Sequence, residues 1–281
     1  MILMDFSGIA VATIAVNKVN DENMLRHMML NSVRMYNKKF RDQYGQMIIC
    51  CDGANNWRRG YFPQYKANRR KSRDDSGFDW AEAFRIMHKV KDEIKENFPY
   101  KVIHLEGCEA DDIIGTMVEH TQEFGQYEEV MIVSSDKDFL QLQKYGNVRQ
   151  WSHILKKEIK DHHPKLNLID KILSGDTGDG VPNVLSGDDT FVNGERQTPL
   201  SKKKKQAIIE DLSDGELLYA ASWYRNYQRN ETLIDLTKTP NDLKNKIVDE
   251  FWITVFNEGK TLPYLINNNM KQLIGSVEEF L

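Results

Sequence analysis

Acidic residues follow four short apolar runs in the sequence, and this placement is the first indication of chemistry. Short apolar runs are typical of buried strands. The acids, each with the run that it follows, are Asp5 after residues 2–4, Asp52 after 47–51, Glu109, Asp111 and Asp112 after 102–105, and Asp136 and Asp138 after 130–133. If the runs are parallel strands of one sheet, their carboxyl ends share one edge, where open α/β sheets bind ligands.

Clustered carboxylates have a specific chemical use. Acids within a few ångströms of one another repel unless protons or cations compensate their charge. Mg²⁺ and Mn²⁺ take oxygen ligands and retain water, so a set of Asp and Glu without Cys or His favours these ions over zinc. Two such ions about 4 Å apart can activate a water, orient a phosphate and stabilise the leaving oxygen. The acids therefore predict a divalent-metal site that hydrolyses phosphodiester bonds.

Each acid also has a plainer interpretation. Acids at helix starts often serve only as caps, which applies to Glu109, Asp111 and Asp112. Asp136 and Asp138 are also typical turn formers. Asp5, by contrast, directly follows an apolar strand, where a charge rarely lies without a partner. The coincidence of acids at four strand ends favours the metal site.

A basic segment, residues 57–73 with the sequence WRRGYFPQYKANRRKSR, follows Asp52 closely and contains no acid. The chain as a whole has 38 Lys and Arg against 42 Asp and Glu, so the positive charge is local. Its cations are predicted to contact phosphates while its aromatic side chains stack on bases. These aromatic residues are Trp57, Tyr61, Phe62 and Tyr65. The alternative is a solvated helix with a few core aromatics.

Other classes of protein are disfavoured by composition. The cysteines Cys50, Cys51 and Cys108 are odd in number and lack metal-ligand spacing, which argues for reduced thiols rather than disulfides or zinc. The first 16 residues lack a basic start and contain Asp5, so they predict a buried strand rather than a secretory signal. No run of about 18 apolar residues indicates a membrane span. We expect a cytoplasmic protein.

The elements that must position these residues form an α/β pattern. Apolar runs alternate with longer helical patterns, which predicts a mostly parallel central sheet flanked by helices. Helix-like spacing of apolar residues is present at 23–40, 78–98 and 109–124. These segments are the predicted crossover helices.

The character of the chain changes after about residue 160. Strand-like runs disappear, a Gly/Asp-rich segment follows, and the tail is mainly helical. Residues 186–200 predict a flexible loop. We expect an α/β domain over residues 1–160, with the basic segment at about 53–80, and a smaller helical region over residues 161–281.

Seven motifs, taken in order and spacing, carry a family resemblance. They are MDFS, CDGANNWRRGYFPQYKANRRK, EADD, SSDKDFLQL, GDTGDGVPNV, GERQTP and RNETLIDL. Over nearly the whole chain, the sequence resembles the 5′ nuclease superfamily of flap endonucleases, polymerase 5′ nuclease domains and phage-type ribonuclease H. The resemblance implies a PIN-like fold and a 5′-3′ exonuclease and flap endonuclease with ribonuclease H activity. It also implies two Mg²⁺ ions, for which Mn²⁺ substitutes.

The resemblance also assigns metal ligands. It implies that the first ion is held by Asp5, Asp52, Asp111 and Asp136, with Glu109 acting directly or through water. It implies that the second ion is held by Asp138, Asp176 and Asp179. Asp112 has no essential role in this assignment and is expected to support the ligands from behind.

The resemblance likewise assigns contacts with the substrate. It implies that Arg58 and Lys66 contact the scissile phosphate from an arch above the site, with Tyr65 packing or stacking there. The remaining cations expected to bind nucleic acid are Arg59, Arg69, Arg70, Lys71, Lys202, Lys203, Lys204 and Lys205.

One departure from the family pattern concerns the grip on duplex DNA. GDTGDGVPNV is followed by LSGDDTFVNGERQTPLSKKKKQ instead of a Gly-rich second turn. This difference argues against a potassium ion that assists binding of the downstream duplex. The four lysines at 202–205 either replace part of that grip through charge or form the solvated start of a helix.

The predicted function is the removal of RNA primers or 5′ flaps during DNA replication by a phage-encoded monomer in the host cytoplasm. The substrates are DNA and RNA/DNA hybrid, and the family implies a single-strand-binding protein and a sliding clamp as partners. One alternative is a PIN-type ribonuclease for single-stranded RNA, although such domains usually lack the basic segment. Another is a catalytically silent nucleic-acid-binding subunit, which would be expected to lose some of the mutually repelling acids.

Overall fold

The central sheet contains six strands in the part of the chain that the computed structural model describes. That part comprises residues 1–122, 127–214, 221–255 and 259–281, without the side chains of residues 70–72 and 214. The strands are β1 (Ile2–Asp5), β2 (Met47–Cys51), β3 (Lys101–His104), β4 (Val130–Val133), β5 (Val148–Ser152) and β6 (Lys157–Ile159). Their order across the sheet is β3-β2-β1-β4-β5-β6. Neighbouring strands are parallel except β5 and β6, which are antiparallel.

The strand order reverses at β1. The chain moves from β1 to β2 and β3 on one side, and then returns to place β4 on the other side of β1. Asp5 is level with Cys50 of β2, and Met4 is level with Val133 of β4. Such a reversal opens a crevice at the carboxyl ends of the strands. Asp5 therefore lies at this crevice.

Helices cover both faces of the sheet. They are α1 (Phe6–Asn17), α2 (Glu22–Tyr44), α3 (Trp57–Tyr61), α4 (Asn68–Asp74), α5 (Trp80–Asn97), α6 (Ala110–His120), α7 (Pro164–Ser174), α8 (Lys202–Asp214), α9 (Tyr224–Ile234), α10 (Asn241–Ile253), α11 (Thr261–Asn267) and α12 (Lys271–Ile274). Acidic side chains cap the starts of the two long helices α2 and α5: the carboxylates of Asp21 and Asp79 accept hydrogen bonds from the amides of Met24 and Glu82. Each bond satisfies an amide that the first helical turn leaves free.

Two apolar clusters lie on the two faces of the sheet. Ile2 and Met4 pack into the cluster beneath α1, α2 and α5, whereas Leu3 packs into the cluster beneath α6 and α10. Successive residues of a strand point to opposite faces, so β1 contributes to both clusters. The C-terminal part of the chain takes part as well, since Ile247 and Phe280 are fully buried in these clusters. The sheet is thereby covered on both sides, as parallel sheets require.

Most predicted elements are confirmed, and the exceptions have identifiable causes. The strand predicted at residues 2–4 is confirmed as β1, but α1 was not predicted: the apolar residues after Asp5 form a helix, which the Asp5 carboxylate caps by accepting the Gly8 amide. The sequence analysis did not predict β5 and β6, whose segments VRQWS and KEI mix polar and apolar residues. The predicted mostly parallel α/β sheet is confirmed.

Two further expectations concern the cysteines and membrane-spanning helices. Cys50, Cys51 and Cys108 are free and buried, as the odd number of cysteines predicts. Among the described residues, no helix combines the length and the apolar character that a bilayer crossing needs.

Candidate active site

Asp5 lies at the centre of the acidic edge and is almost buried, with 6% of the residue exposed. Its carboxylate accepts the Gly8 amide at 2.8 Å and the Ser134 hydroxyl at 2.7 Å. A Cβ at Gly8 would lie only 2.4 Å from this carboxylate, so the close approach requires glycine. Burial, followed by the charge of Asp52, raises the pKa of Asp5 to about 7. A cation would relieve both effects.

Asp52 and Asp111 extend the edge on either side of the α6 N-terminus. The Asp52 carboxylate accepts the Ala110 amide at 2.8 Å, which is the first amide of α6. Asp111 lies in the first turn of the same helix. Burial and then the charge of Asp136 raise the pKa of Asp111 well above its usual value. The helix start thus holds negative groups that also repel one another.

Asp136 follows β4 and completes this first group of acids. Its carboxylate accepts the Asp138 amide at 2.8 Å, and its own amide donates to the Ser134 hydroxyl at 3.1 Å. Ser134 therefore bonds Asp5 and Asp136 at once; it begins the motif SSDKDFLQL, but the sequence analysis assigned it no role. The structure brings Asp5, Asp52, Asp111 and Asp136 together at the edge of the sheet.

A second acidic group lies beside the first. The carboxylates of Asp138, Asp176 and Asp179 each offer an oxygen within 4.8 Å of the others, the sole such triple among the described residues. The Asp179 amide donates to the Asp176 carboxylate at 3.1 Å, which fixes the turn. Burial raises the pKa of Asp138 to about 6, with Lys171 opposing the rise. This compact set matches the acids that the family resemblance implies for one ion.

Glu109 joins the acidic edge to the basic segment. Its carboxylate lies 2.6 Å from the Lys66 ammonium and 3.0 Å from the Tyr65 hydroxyl. Burial acts to raise the pKa of Glu109, but the charges of Lys66 and Arg58 outweigh it and lower the pKa. The chain therefore already balances the negative charge of Glu109.

The basic segment is fastened to the turn that contains Asp179. The Lys66 amide donates to the Asp179 carbonyl at 2.8 Å, and the Tyr65 hydroxyl lies 3.0 Å from the Asp179 carboxylate. Lys66 has a positive φ of 56°, and Gly180 faces it with a φ of 72°. A Cβ at Gly180 would lie 3.1 Å from the Gln64 carbonyl oxygen. The segment and the turn therefore hold each other in place.

A cleft of about 470 Å³ lies where the acidic edge meets the basic segment. Its acidic lining residues are Asp52, Asp74 and Glu109. Its lining also includes four cationic residues: Arg59, Lys66, Arg69 and Arg73. Such a cleft can hold an anion against its cationic side chains while cations bind its carboxylates.

Arg58 does not lie above the site, contrary to the expectation that it contacts the scissile phosphate. Only 1% of the residue is exposed, and its guanidinium lies 2.9 Å from the Asp112 carboxylate and 3.3 Å from that of Glu109. It also donates to the Leu233 carbonyl at 3.0 Å. Arg58 is buried because a planar guanidinium matches these fixed acceptors, and it anchors the segment from below.

Asp112 is the counterpart of Arg58 and is fully buried. Its carboxylate accepts from the Trp57 indole at 3.1 Å, the Thr239 hydroxyl at 2.8 Å and the Glu109 amide at 2.8 Å. This agrees with the expectation that Asp112 supports the site from behind. Its partner Thr239 lies 127 positions further along the chain, and the sequence analysis did not single it out.

The aromatic residues of the basic segment are mostly not free to stack on bases. Phe62 and Tyr65 are buried in a cluster with Ile172 and Leu233. Trp57 packs against the cluster beneath α6, and Tyr61 is half exposed. The expectation of aromatic stacking is therefore wrong for Phe62 and Tyr65, because apolar residues of the C-terminal region cover them.

The remaining predicted cations differ in their surroundings. Lys202, Lys203 and Lys204 are exposed at the start of α8, whereas Lys205 lies 2.6 Å from the Asp170 carboxylate. Arg59 and Arg69 line the cleft, and the Arg69 guanidinium lies 2.5 Å from the Asp179 carboxylate. The side chains of Arg70 and Lys71 lie outside the described residues.

Comparison with known proteins places the chain in a family. A family profile described as the 5′-3′ exonuclease N-terminal resolvase-like domain matches residues 9–170, and the profile of the T4 RNase H C-terminal region matches residues 162–280. Ribonuclease H of Enterobacteria phage T4 is 36% identical over 291 aligned positions, covering 99% of this chain and 95% of that protein. The chain belongs to the 5′-3′ exonuclease family.

Other relatives of this chain have lower sequence identity. The 5′-3′ exonuclease of Buchnera aphidicola subsp. Schizaphis graminum (strain Sg) is 29% identical over 177 residues, which cover 60% of this chain and 57% of that protein. A structure of the T5 5′-exonuclease with bound zinc matches with a TM-score of 0.66 and 17% identity, covering 90% of this chain and 99% of that one. This likeness confirms the PIN-like fold. The chain is a nuclease, and its substrate is nucleic acid.

Proposed function

We propose that this nuclease is a Mg²⁺-dependent 5′-3′ exonuclease and flap endonuclease that removes RNA primers during DNA replication. Its substrates would be the 5′ ends of duplex DNA, flaps and RNA/DNA hybrids. The observation that carries the proposal is the cleft lined both by carboxylates and by cations of the basic segment. A phosphate backbone suits the cations, and divalent ions suit the carboxylates. The RNA/DNA hybrid is included among the substrates because the relative from phage T4 is named Ribonuclease H.

Two Mg²⁺ ions are proposed, with Mn²⁺ as a substitute. The residues that would hold the first are Asp5, Asp52, Asp111 and Asp136, with Glu109 acting directly or through water, and those that would hold the second are Asp138, Asp176 and Asp179. All the donors are carboxylate oxygens, and the raised pKa values of Asp5 and Asp111 indicate negative charge that the chain leaves uncompensated. In such a cage, bound divalent ions supply charge neutralisation at the phosphate and a lowered pKa for an attacking water.

The side chains around the cleft would bind and orient the substrate. The Lys66 ammonium is only 11% exposed and lies beside Glu109, so it is the proposed cation that offsets charge developing on the scissile phosphate. The Tyr65 hydroxyl holds the carboxylates of Glu109 and Asp179 in position. The proposed positioning cations, which contact phosphates away from the cut, are Arg59, Arg69, Arg70, Lys71 and Lys202 to Lys205.

The direct test is cleavage of three 5′-labelled substrates, a flap, a nicked duplex and an RNA/DNA hybrid, side by side in Mg²⁺, Mn²⁺ or EDTA. We expect short oligonucleotides from the 5′ end of each substrate in either metal, and none in EDTA. Asp136→Asn is the matched control, because it removes one proposed ligand and leaves the basic segment intact. It should lose cleavage and keep binding. Cleavage in EDTA, or by Asp136→Asn at near the wild-type rate, would exclude the metal site.

The organisation of the working protein is part of the same proposal. We propose a monomer with a nuclease domain over residues 1–160 and a helical DNA-binding region over residues 161–281. The family resemblance supports a single-strand-binding protein and a sliding clamp as partners, in the cytoplasm of a phage-infected host. Gel filtration checks the monomer, and co-purification with each purified partner checks the two contacts.

A further inference from the structure

Lys171 lies inside the second acidic group. It projects from α7, contacts the Asp138 carboxylate, and its ammonium lies 2.9 Å from the Asp176 carboxylate. These are two of the three acids whose oxygens lie within 4.8 Å of one another. About a quarter of the Lys171 side chain is exposed. One ammonium group therefore balances the acids that the second divalent ion would use.

The main chain keeps Lys171 close to these acids. α7 ends at Ser174, and Gly175, with a φ of 70°, carries the chain directly into Asp176. A Cβ at Gly175 would lie 2.3 Å from the Val181 carbonyl oxygen, so the helix end and the turn are tightly packed. The backbone of Lys171 is therefore held in place five positions before Asp176, whose carboxylate its side chain contacts.

An ammonium and a divalent ion cannot both occupy the same carboxylate oxygens. They repel each other, and the oxygen lone pairs that the ammonium uses are those that the ion requires. The four-carbon stem of a lysine is flexible, however, so the ammonium can move while the backbone stays in place. A cavity of about 190 Å³ beside the group is bounded by Asp138, Asp161 and Lys171, and it offers room and a carboxylate for the displaced ammonium.

We propose that Lys171 is a built-in counter-cation of the second site, which holds Asp138 and Asp176 together until a divalent ion displaces it. The inference rests on the proposed function, because the ion is the second metal of that proposal. Binding of the second ion must displace an existing ion pair, whereas binding at Asp5, Asp111 and Asp136 relieves repulsion. The second ion is therefore bound more weakly than the first, and Lys171 contributes to this difference beside the Arg69 guanidinium, which lies 2.5 Å from the third acid, Asp179.

The experiment counts Mn²⁺ ions bound to the full chain by calorimetry and by the electron paramagnetic resonance of free Mn²⁺. Lys171→Met keeps the stem and removes the charge, and Lys165→Met is the control on the same helix, where Lys165 is exposed. We expect Lys171→Met to bind the second Mn²⁺ about tenfold or more tightly than wild type, with the first unchanged. Lys165→Met and the charge-retaining Lys171→Arg should both keep a weak second site.

Thermal unfolding supplies a second readout that does not depend on catalysis. Without metal, Lys171→Met should melt below wild type because two acids lose their partner, and Mn²⁺ should raise its Tm by more than it raises that of wild type. If Lys171→Met does not fold, Lys171→Gln takes its place, since an amide keeps hydrogen bonds to the carboxylates without the charge.

The outcomes separate this inference from the function on which it rests. An equal or weaker second site in Lys171→Met would overturn the role of Lys171 while leaving a two-metal nuclease intact. Saturable binding of a single Mn²⁺ in every variant would also overturn it. Loss of saturable Mn²⁺ binding in wild type and variants alike would instead overturn the proposed metal-dependent function.

Discussion

Arg58 and Lys66 show how two cations of the same basic segment acquire different tasks. The Arg58 guanidinium is buried against Asp112 and the Leu233 carbonyl, whereas the Lys66 ammonium lines the cleft beside Glu109. The family resemblance implied that both contact the scissile phosphate. It could not separate them, because the Leu233 carbonyl that helps to bury Arg58 lies 175 positions away in the chain. The two residues differ in their access to the cleft, and not in their charge.

Lys66→Ala is expected to slow the chemical step more than it weakens binding. If the ammonium offsets charge that develops during cleavage, its loss should reduce the single-turnover rate by about 100-fold while the Kd changes by about threefold or less. Both are measured at saturating Mg²⁺. Arg59→Ala is the comparison, since Arg59 lines the same cleft and should weaken binding and flatten its salt dependence. Indistinguishable effects of the two variants would indicate that both cations only attract phosphates electrostatically, and that Lys66 has no separate role in the chemical step.

Arg58→Met is expected to destabilise the fold. Removing one partner of a buried ion pair leaves Asp112 charged and fully buried, at a cost of about 3–5 kcal/mol in the free energy of unfolding. Urea denaturation in EDTA measures the change, and Arg59→Met, at an exposed position, should alter it by less than about 0.5 kcal/mol. A similarly small effect of Arg58→Met would show that the ion pair does not anchor the segment.

Asp5 should make the metal-free protein less stable as pH rises. The folded state keeps the Asp5 proton up to about pH 7, whereas an unperturbed Asp releases it near 3.8, so the folded state binds the extra proton between these values. The free energy of unfolding should fall by roughly 2–3 kcal/mol between pH 5 and pH 8 from this group. Asp5→Asn should remove that part of the pH dependence in EDTA. Parallel pH profiles for both proteins would contradict the burial of an unpaired charge.

At the scale of elements, the positions of the acids were predictable and the surroundings of the basic segment were not. Acids that follow apolar strands meet at one edge whenever the strands are parallel, which is a local rule. The burial of Phe62 and Tyr65 depends on residues such as Ile172 and Leu233. These lie far along the chain, in a region where the sequence predicted helices but not their packing partners. The helix α1 was missed because its sequence is mainly apolar, and the local signal for its start is the cap at Asp5.

Gly180→Ala is expected to loosen the joint between the basic segment and the Asp179 turn. An L-residue at a φ of 72° costs about 1–2 kcal/mol, and the new Cβ would press on the Gln64 carbonyl oxygen at 3.1 Å. The unfolding midpoint in urea should fall accordingly. Gly146→Ala is the control, because a Cβ there meets no atom within 4 Å. Equal midpoints for the two variants would mean that the joint tolerates a side chain.

At the scale of the whole molecule, the acidic edge should make stability depend on divalent ions. Adding millimolar Mg²⁺ or Mn²⁺ to the metal-free protein should raise its Tm, because the ions bind the folded state and relieve repulsion among the carboxylates. NaCl at the same ionic strength should have a much smaller effect. Equal shifts in both salts would indicate that the acids act only through general screening.

Arg58 gives the molecule a property that no single element has. Its guanidinium joins α3, the start of α6 and the end of α9, because its acceptors belong to Glu109, Asp112 and Leu233. A buried cation cannot lose any of these acceptors cheaply, so the three stretches should open and close as one cooperative unit. The proposed nuclease domain therefore depends on α9 for its stability. A fragment that stops before α9 would expose both the Arg58 guanidinium and the apolar side chains that pack against Tyr65.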